Sequence, residues 1–229
     1  MDSQLAVDQK NNLVEMRPAG LGQPAGIRIA ARILSYVLHP LFIPVYLCGF
    51  VVATQSYLFA AFSQWEKTLF ILRFGVMYIM FPLVSVLLLR ALGFIGSFQL
   101  TTQKDRIIPY IVCMIYYWWM WYVLSNQPEF PTLFVTLSFA IFLASIGGLM
   151  ANISMKVSMH AMGAGVMTAF VMLAGFSQDI NFGGYISISI FLAGLICTAR
   201  FIDSDHTAKE IYTGLFIGVL SLLLAIKFA

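Results

Sequence analysis

The stretch Ala199-Arg200-Phe201-Ile202-Asp203-Ser204-Asp205-His206-Thr207-Ala208-Lys209-Glu210 is polar between two apolar runs. Arg200 closes one hydrophobic segment. His206 and Glu210 open the next at a four-residue spacing, which stacks the two side chains on one helix face about one turn apart. A carboxylate so placed can hold an imidazole, so the pair reads as a nucleophile or base with its orienting group, and the guanidinium beside it can bind an anion. The alternative is an ordinary charged loop between two membrane helices.

Two further polar clusters carry comparable residues. The first is Thr101-Thr102-Gln103-Lys104-Asp105-Arg106, followed by Pro109, and it packs two cations against a helix start. The second is Asn152-Ile153-Ser154-Met155-Lys156-Val157-Ser158-Met159-His160. Two apolar spans separate the first cluster from the second, and two more separate the second from the third. An even number of crossings returns the chain to the same face, so Lys104, Arg106, Lys156, Ser158, His160, Arg200, His206 and Glu210 are expected at one end of a bundle. An anion pocket with two imidazoles suits phosphoryl transfer through a covalent histidine better than it suits a metal. A zinc set could be drawn from His160, His206, Asp203 and Asp205, but the surrounding cations oppose it and no HExxH spacing is present. No phosphate-cradling glycine loop of the nucleotide-binding kind occurs either. Headgroup binding by helix-end charges is the structural alternative.

The elements that must position these residues follow from composition. Of the residues, 60% are hydrophobic and 10% charged, and the mean hydropathy is +0.88, far from a soluble domain. Apolar runs of about 20 residues recur along the chain, each long enough to cross a bilayer. The fold class is therefore all-α, a polytopic transmembrane helical bundle of about seven spans, or six if the first, proline-kinked segment is re-entrant. Residues 1–26 read as a disordered polar tail, and residues 27–229 as a single membrane-embedded domain. The spans are expected near 27–53, 67–92, 107–124, 132–150, from within the second cluster to about 174, 185–198 and 208–228. Pro40 and Pro44 should kink the first. His39, beside that kink, reads as a packed structural residue and is left out of the site. Tyr116 to Tyr122 form an aromatic belt, with a lipid-tail groove as the lesser alternative. Gly214 and Gly218, in a GxxxG spacing, and the small residues Ala161, Gly163, Gly165 and Ala169 read as helix-packing faces. Cys48, Cys113 and Cys197 are expected to be buried free thiols. Charges collect at helix ends rather than in mid-span, which argues against a transporter or channel.

The chain resembles the phosphatidic acid phosphatase type 2 superfamily, membrane lipid phosphatases that share a site with vanadium haloperoxidases. The family's third motif, Ser-Arg, five residues, His, three residues, Asp, is matched by Ala199-Arg200, five residues, His206, three residues, Glu210. Its second, Pro-Ser-Gly-His, is matched by Val157-Ser158-Met159-His160, with Ser and His kept. Its first, Lys, six residues, Arg-Pro, is echoed by Lys104-Asp105-Arg106 and Pro109 without the spacing. The resemblance runs from about Thr101 to Gly218. It implies that His206 attacks phosphorus, that Glu210 orients it, and that His160 protonates the leaving oxygen. It further implies that Arg200, Ser158, Lys104 and Arg106 bind the phosphate oxygens. No metal and no cofactor are implied. The implied partner is a lipid phosphate held among membrane lipids, with no nucleic acid. A family member that binds headgroups without catalysis, or a scaffold protein, is the alternative.

Orientation follows from the net charge of +3 and its distribution. Of 13 Lys and Arg residues, only Lys67, Arg73 and Lys227 fall on the side away from the three clusters. The positive-inside rule places the N-terminus and the clusters on the cytoplasmic face, in a bacterial cytoplasmic membrane if the resemblance extends so far.

Overall fold

In the computed structural model the described residues are 4–7, 13–16, 23–95, 103–128, 130–176, 181–203 and 206–228. Asp205 of the zinc alternative, Thr101 and Thr102 of the first cluster, and most of the N-terminal tail lie outside them. Within that tail, β1 (Gln4–Val7) and β2 (Leu13–Met16) pair antiparallel, Gln4 opposite Met16 and Val7 opposite Leu13. Leu5-Ala6-Val7 and Leu13-Val14 are apolar enough to form a two-strand ribbon.

All other regular structure among the described residues is helical, as expected where water cannot satisfy backbone groups. The elements are α1 (Ala25–Val37), α2 (Ile43–Thr54), a short 3-10 turn (Ser56–Phe59), α3 (Gln64–Gly75), a π turn (Val76–Met80), α4 (Phe81–Ala91), α5 (Gln103–Ser125), α6 (Thr132–Ala151), α7 (Met159–Phe176), α8 (Gly183–Asp203) and α9 (Ala208–Phe228). Six helices are long and apolar enough to cross a membrane, the α3–π–α4 rod Gln64–Ala91 among them. Ser63 and Glu66 form a capping box at its start. Pro82, one residue into α4, has no N–H to give the preceding turn, and the π turn absorbs that loss. The rod stops at Gly93, whose φ of +79° favours glycine. There the Phe94 N–H reaches Leu89 O at 2.9 Å and the Gly93 N–H reaches Arg90 O at 3.1 Å, a Schellman stop.

The first apolar segment is the broken pair α1–α2, of which α2 is a shorter apolar helix. Pro40 interrupts it, and α2 then runs alongside α7 from the level of Gly163 to that of Ala174. A Cβ on Gly163 would lie 3.1 Å from Pro40 Cβ and 2.9 Å from Ile43 Cδ1. At the far end, Gln55 Nε2 donates to Ala174 O at 3.1 Å. α2 thus runs nearly the length of α7, and the three polar clusters share one end of the bundle.

α7 is the hub and packs against α2, α6, α8 and α9. Its approach to α9 is backbone to backbone. A Cβ on Gly218 would strike Met162 O and come within 3.0 Å of Gly165 Cα, and one on Gly214 would come within 2.6 Å of Ser158 O. The GxxxG pair is thus a packing face that sets how closely the second and third clusters meet. Gly218→Ala should lower the thermal midpoint in detergent, since overpacking costs about 1–3 kcal/mol. Gly194→Ala on α8, whose Cβ would meet nothing within 4 Å, should leave the midpoint unchanged or slightly raised. Equal midpoints for the two variants would contradict the close α7–α9 contact.

Candidate functional site

α9 begins with a capping box. The Thr207 N–H donates to Glu210 Oε2 at 2.7 Å, and the Glu210 N–H donates to Thr207 Oγ1 at 3.2 Å. His206 stands immediately before this cap, and its Nδ1 lies 3.6 Å from the same Glu210 Oε2. That separation is longer than a hydrogen bond, and Nδ1 is buried without a hydrogen-bond partner. The His206 side chain is only 5% exposed. Burial, then the charges of Arg106 and Arg200, hold its pKa down at about 4 against the opposing pull of Glu210, with Lys156 adding to the depression. The imidazole is therefore neutral at physiological pH.

The cations arrive from three elements. Arg106, on the second turn of α5, is 5% exposed and donates from Nη1 to Val157 O at 2.8 Å. Lys156 belongs to the 152–158 loop, which is held from two sides. Asn152 Nδ2 donates to Gln103 O at 2.8 Å while Gln103 Nε2 donates to Asn152 O at 3.0 Å. From the other side the Ser158 N–H donates to Glu210 O at 3.2 Å. Arg200 is in the last turn of α8, which runs to Asp203 rather than ending near Thr198. Its Nη1 donates to Ser35 Oγ at 3.3 Å.

His160 opens α7. Its Nε2 is 3.1 Å from Ser35 O, and because a carbonyl only accepts, that nitrogen carries the proton. The ring meets that of His39 edge to face, with centroids 4.9 Å apart and planes at 87°. All three histidines of the chain thus collect at this end, with the Arg200 charge acting on each.

Of the expected site residues, the structure brings together His206, Glu210, Arg200, Arg106 and His160, together with Lys156. Two positions differ. Lys104 is exposed, because residues two apart on a helix point about 200° apart and Arg106 takes the inward direction. Ser158 is fully buried, and its hydroxyl accepts the Ala161 N–H at 3.4 Å, so it caps α7. His39 and Ser35 were not expected in the site. A proline-broken first span was the one signal that could have placed them there, since irregular backbone at membrane depth must be buried in protein or line a cavity. The metal alternative loses Asp203, whose Oδ1 accepts from Arg32 Nε at 3.2 Å. Among the described residues no three His, Cys, Asp or Glu side chains stand close enough to share a metal ion. A cavity of about 570 Å³, lined by residues including Gln55, Pro128, Phe130 and Leu173, lies at the opposite end of the bundle, away from this cluster.

No protein-family model, curated protein or solved structure matches the chain.

The depressed His206 pKa makes stability depend on pH. An unfolded chain protonates this histidine near 6.5, whereas the folded chain holds it neutral down to about 4. Between those values the unfolded state binds more protons. Stability therefore falls as pH is lowered through that window, by at most about 1.4 kcal/mol per pH unit from this group. In thermal melts in detergent, His206→Gln should flatten this slope. An unchanged slope would contradict the buried neutral imidazole.

Proposed function

We propose that this integral membrane protein is a lipid phosphatase that works through a phosphohistidine on His206. The observation that carries the proposal is a buried neutral imidazole, its Nδ1 facing Glu210 Oε2 at 3.6 Å, set among Arg106, Arg200 and Lys156. A neutral imidazole is the nucleophilic form, and the cations around it attract the phosphate and stabilise charge on its oxygens in the transition state. The near-dry setting strengthens that stabilisation.

In the first step His206 Nε2 attacks phosphorus, the bond from phosphorus to the lipid oxygen breaks, and that oxygen takes a proton from His160. As His206 becomes cationic, the Glu210 carboxylate stabilises the charge at Nδ1. In the second step water attacks phosphorus, the N–P bond breaks, and His160 accepts the water proton. With Nε2–H given to Ser35 O, Nδ1 of the neutral His160 ring carries a lone pair. It takes up the proton of the monoprotonated substrate phosphate on binding, passes it to the leaving oxygen in the first step, and accepts the water proton in the second. Arg200 and Arg106 hold phosphate oxygens through both steps, and guanidinium geometry suits that task. A site at the end of the bundle suits a substrate whose phosphate sits at headgroup depth while its tails remain in lipid. Phosphatidic acid, phosphatidylglycerophosphate and polyprenyl phosphates or diphosphates share that chemistry.

The test is phosphate release from a panel of these lipids in detergent with chelator present. Wild type should turn over. His206→Ala should abolish release, and Glu210→Ala should reduce it by about 10²-fold or more, with both variants folded. Release unchanged in Glu210→Ala would break the His206–Glu210 unit. No release from any lipid, with all proteins equally stable, would assign the cluster to headgroup binding instead.

A further inference from the structure

We infer that His39, at the break in the first membrane segment, is a positioning residue of this site that acts through His160. The inference rests on the phosphohistidine reading for its consequence in turnover, and on geometry alone for the contact itself.

The break at Pro40 leaves backbone groups without helical partners, and His39 serves them. Its Nδ1 accepts the Leu41 N–H at 3.2 Å, and its carbonyl accepts the Phe42 N–H at 2.9 Å. In the neutral ring the proton is therefore on Nε2. The turn is in turn pressed onto α7, where Gly163 leaves space for Pro40 and Ile43. His39 is thus carried on fixed backbone rather than on a loop free to move.

From that position its ring meets the His160 ring edge to face at 4.9 Å and 87°. One turn earlier, on α1, Ser35 accepts from His160 Nε2 through its carbonyl at 3.1 Å and from Arg200 Nη1 through its hydroxyl at 3.3 Å. The first segment therefore touches His160 twice. Ser35 O takes the Nε2–H, and the His39 ring holds the His160 plane in which that hydrogen bond forms, so the tautomer depends on both. A proton relay must present one particular nitrogen, and for His160 that is Nδ1, whose lone pair is free while Nε2–H is held by Ser35 O. If the ring turned over or changed tautomer, that lone pair would be turned away from the phosphate. The groups that face this pair are Ser35 from α1, Arg200 from α8 and His206 from the loop before α9.

Two substitutions separate the contributions. His39→Phe keeps an aromatic edge and face toward His160 and loses the acceptor for Leu41. His39→Asn keeps an acceptor for Leu41 and loses the ring. Because the chain holds only three histidines, isotope-labelled imidazole nitrogens can be resolved and assigned by single His→Gln changes. Near neutral pH, wild type and His39→Phe should both show His160 as a single Nε2–H tautomer, and His39→Asn should show a mixture. In turnover, His39→Asn should lower kcat about tenfold with KM within about twofold, and His39→Phe should stay within about threefold of wild type.

A single tautomer retained in His39→Asn, or a mixture in folded His39→Phe, would overturn the inference. Should His39→Asn fail to fold, a through-space correlation between the His39 and His160 rings in wild type still decides, and its absence overturns the contact. If wild type releases no phosphate from any lipid, the phosphatase reading fails, while the tautomer measurement still judges the His39–His160 contact.

Discussion

The convergence of charged groups in a nearly dry space is the constraint on which the rest of this structure depends. Arg106, Arg200 and Lys156 act on His206 from three directions, with Glu210 as the opposing charge. Desolvated cations in a membrane protein are tolerated where they pair with carbonyls, carboxylates or a ligand. Arg106 meets the Val157 carbonyl and Arg200 meets Ser35, and in the proposed reading a substrate phosphate would join these partners. Burial first, and then the field of these cations, keeps His206 neutral; in the proposed reading the same field would draw the phosphate.

Holding those charges together is the task of the backbone. The α7–α9 contact through Gly165, Gly214 and Gly218 brings the N-terminal ends of two helices close enough for the Ser158 N–H to reach the Glu210 carbonyl. The exchange between Gln103 and Asn152 ties α5 to the end of α6 and fixes the loop that carries Lys156. The broken first segment closes the remaining side and supplies Ser35 and His39. Glu210 serves twice, since one oxygen both caps α9 and faces His206. Changing that residue therefore affects helix start and imidazole orientation together.

Much of this was legible in residue order. Apolar runs gave the spans, and the even number of crossings between polar clusters put them at one end. The four-residue spacing of His206 and Glu210 gave their contact. The cap was also written in the chain as Thr207, two residues, Glu210, a pattern the functional reading of Glu210 overshadowed. Lys104 and Arg106 could not both face inward, and their two-residue separation carries that information once the helix is known to begin at Gln103. Ser158 presents the composition of a phosphate ligand and of an N-cap equally, and only the position of Ala161 separates the two. His39 was illegible for a different reason. Its partner His160 is distant in the chain, and a proline kink alone does not say which helix the kink will press against.

The central claim is that His206 carries the phosphoryl group, and the most direct measurement is to trap it. Wild-type protein in detergent is mixed briefly with a lipid phosphate labelled at phosphorus, quenched in alkali, digested and mapped. The account predicts label on the peptide containing His206, stable in alkali and released by acid, as expected for a phosphorus–nitrogen bond. Label on a serine or carboxylate peptide, or full turnover with no label on His206, would contradict it.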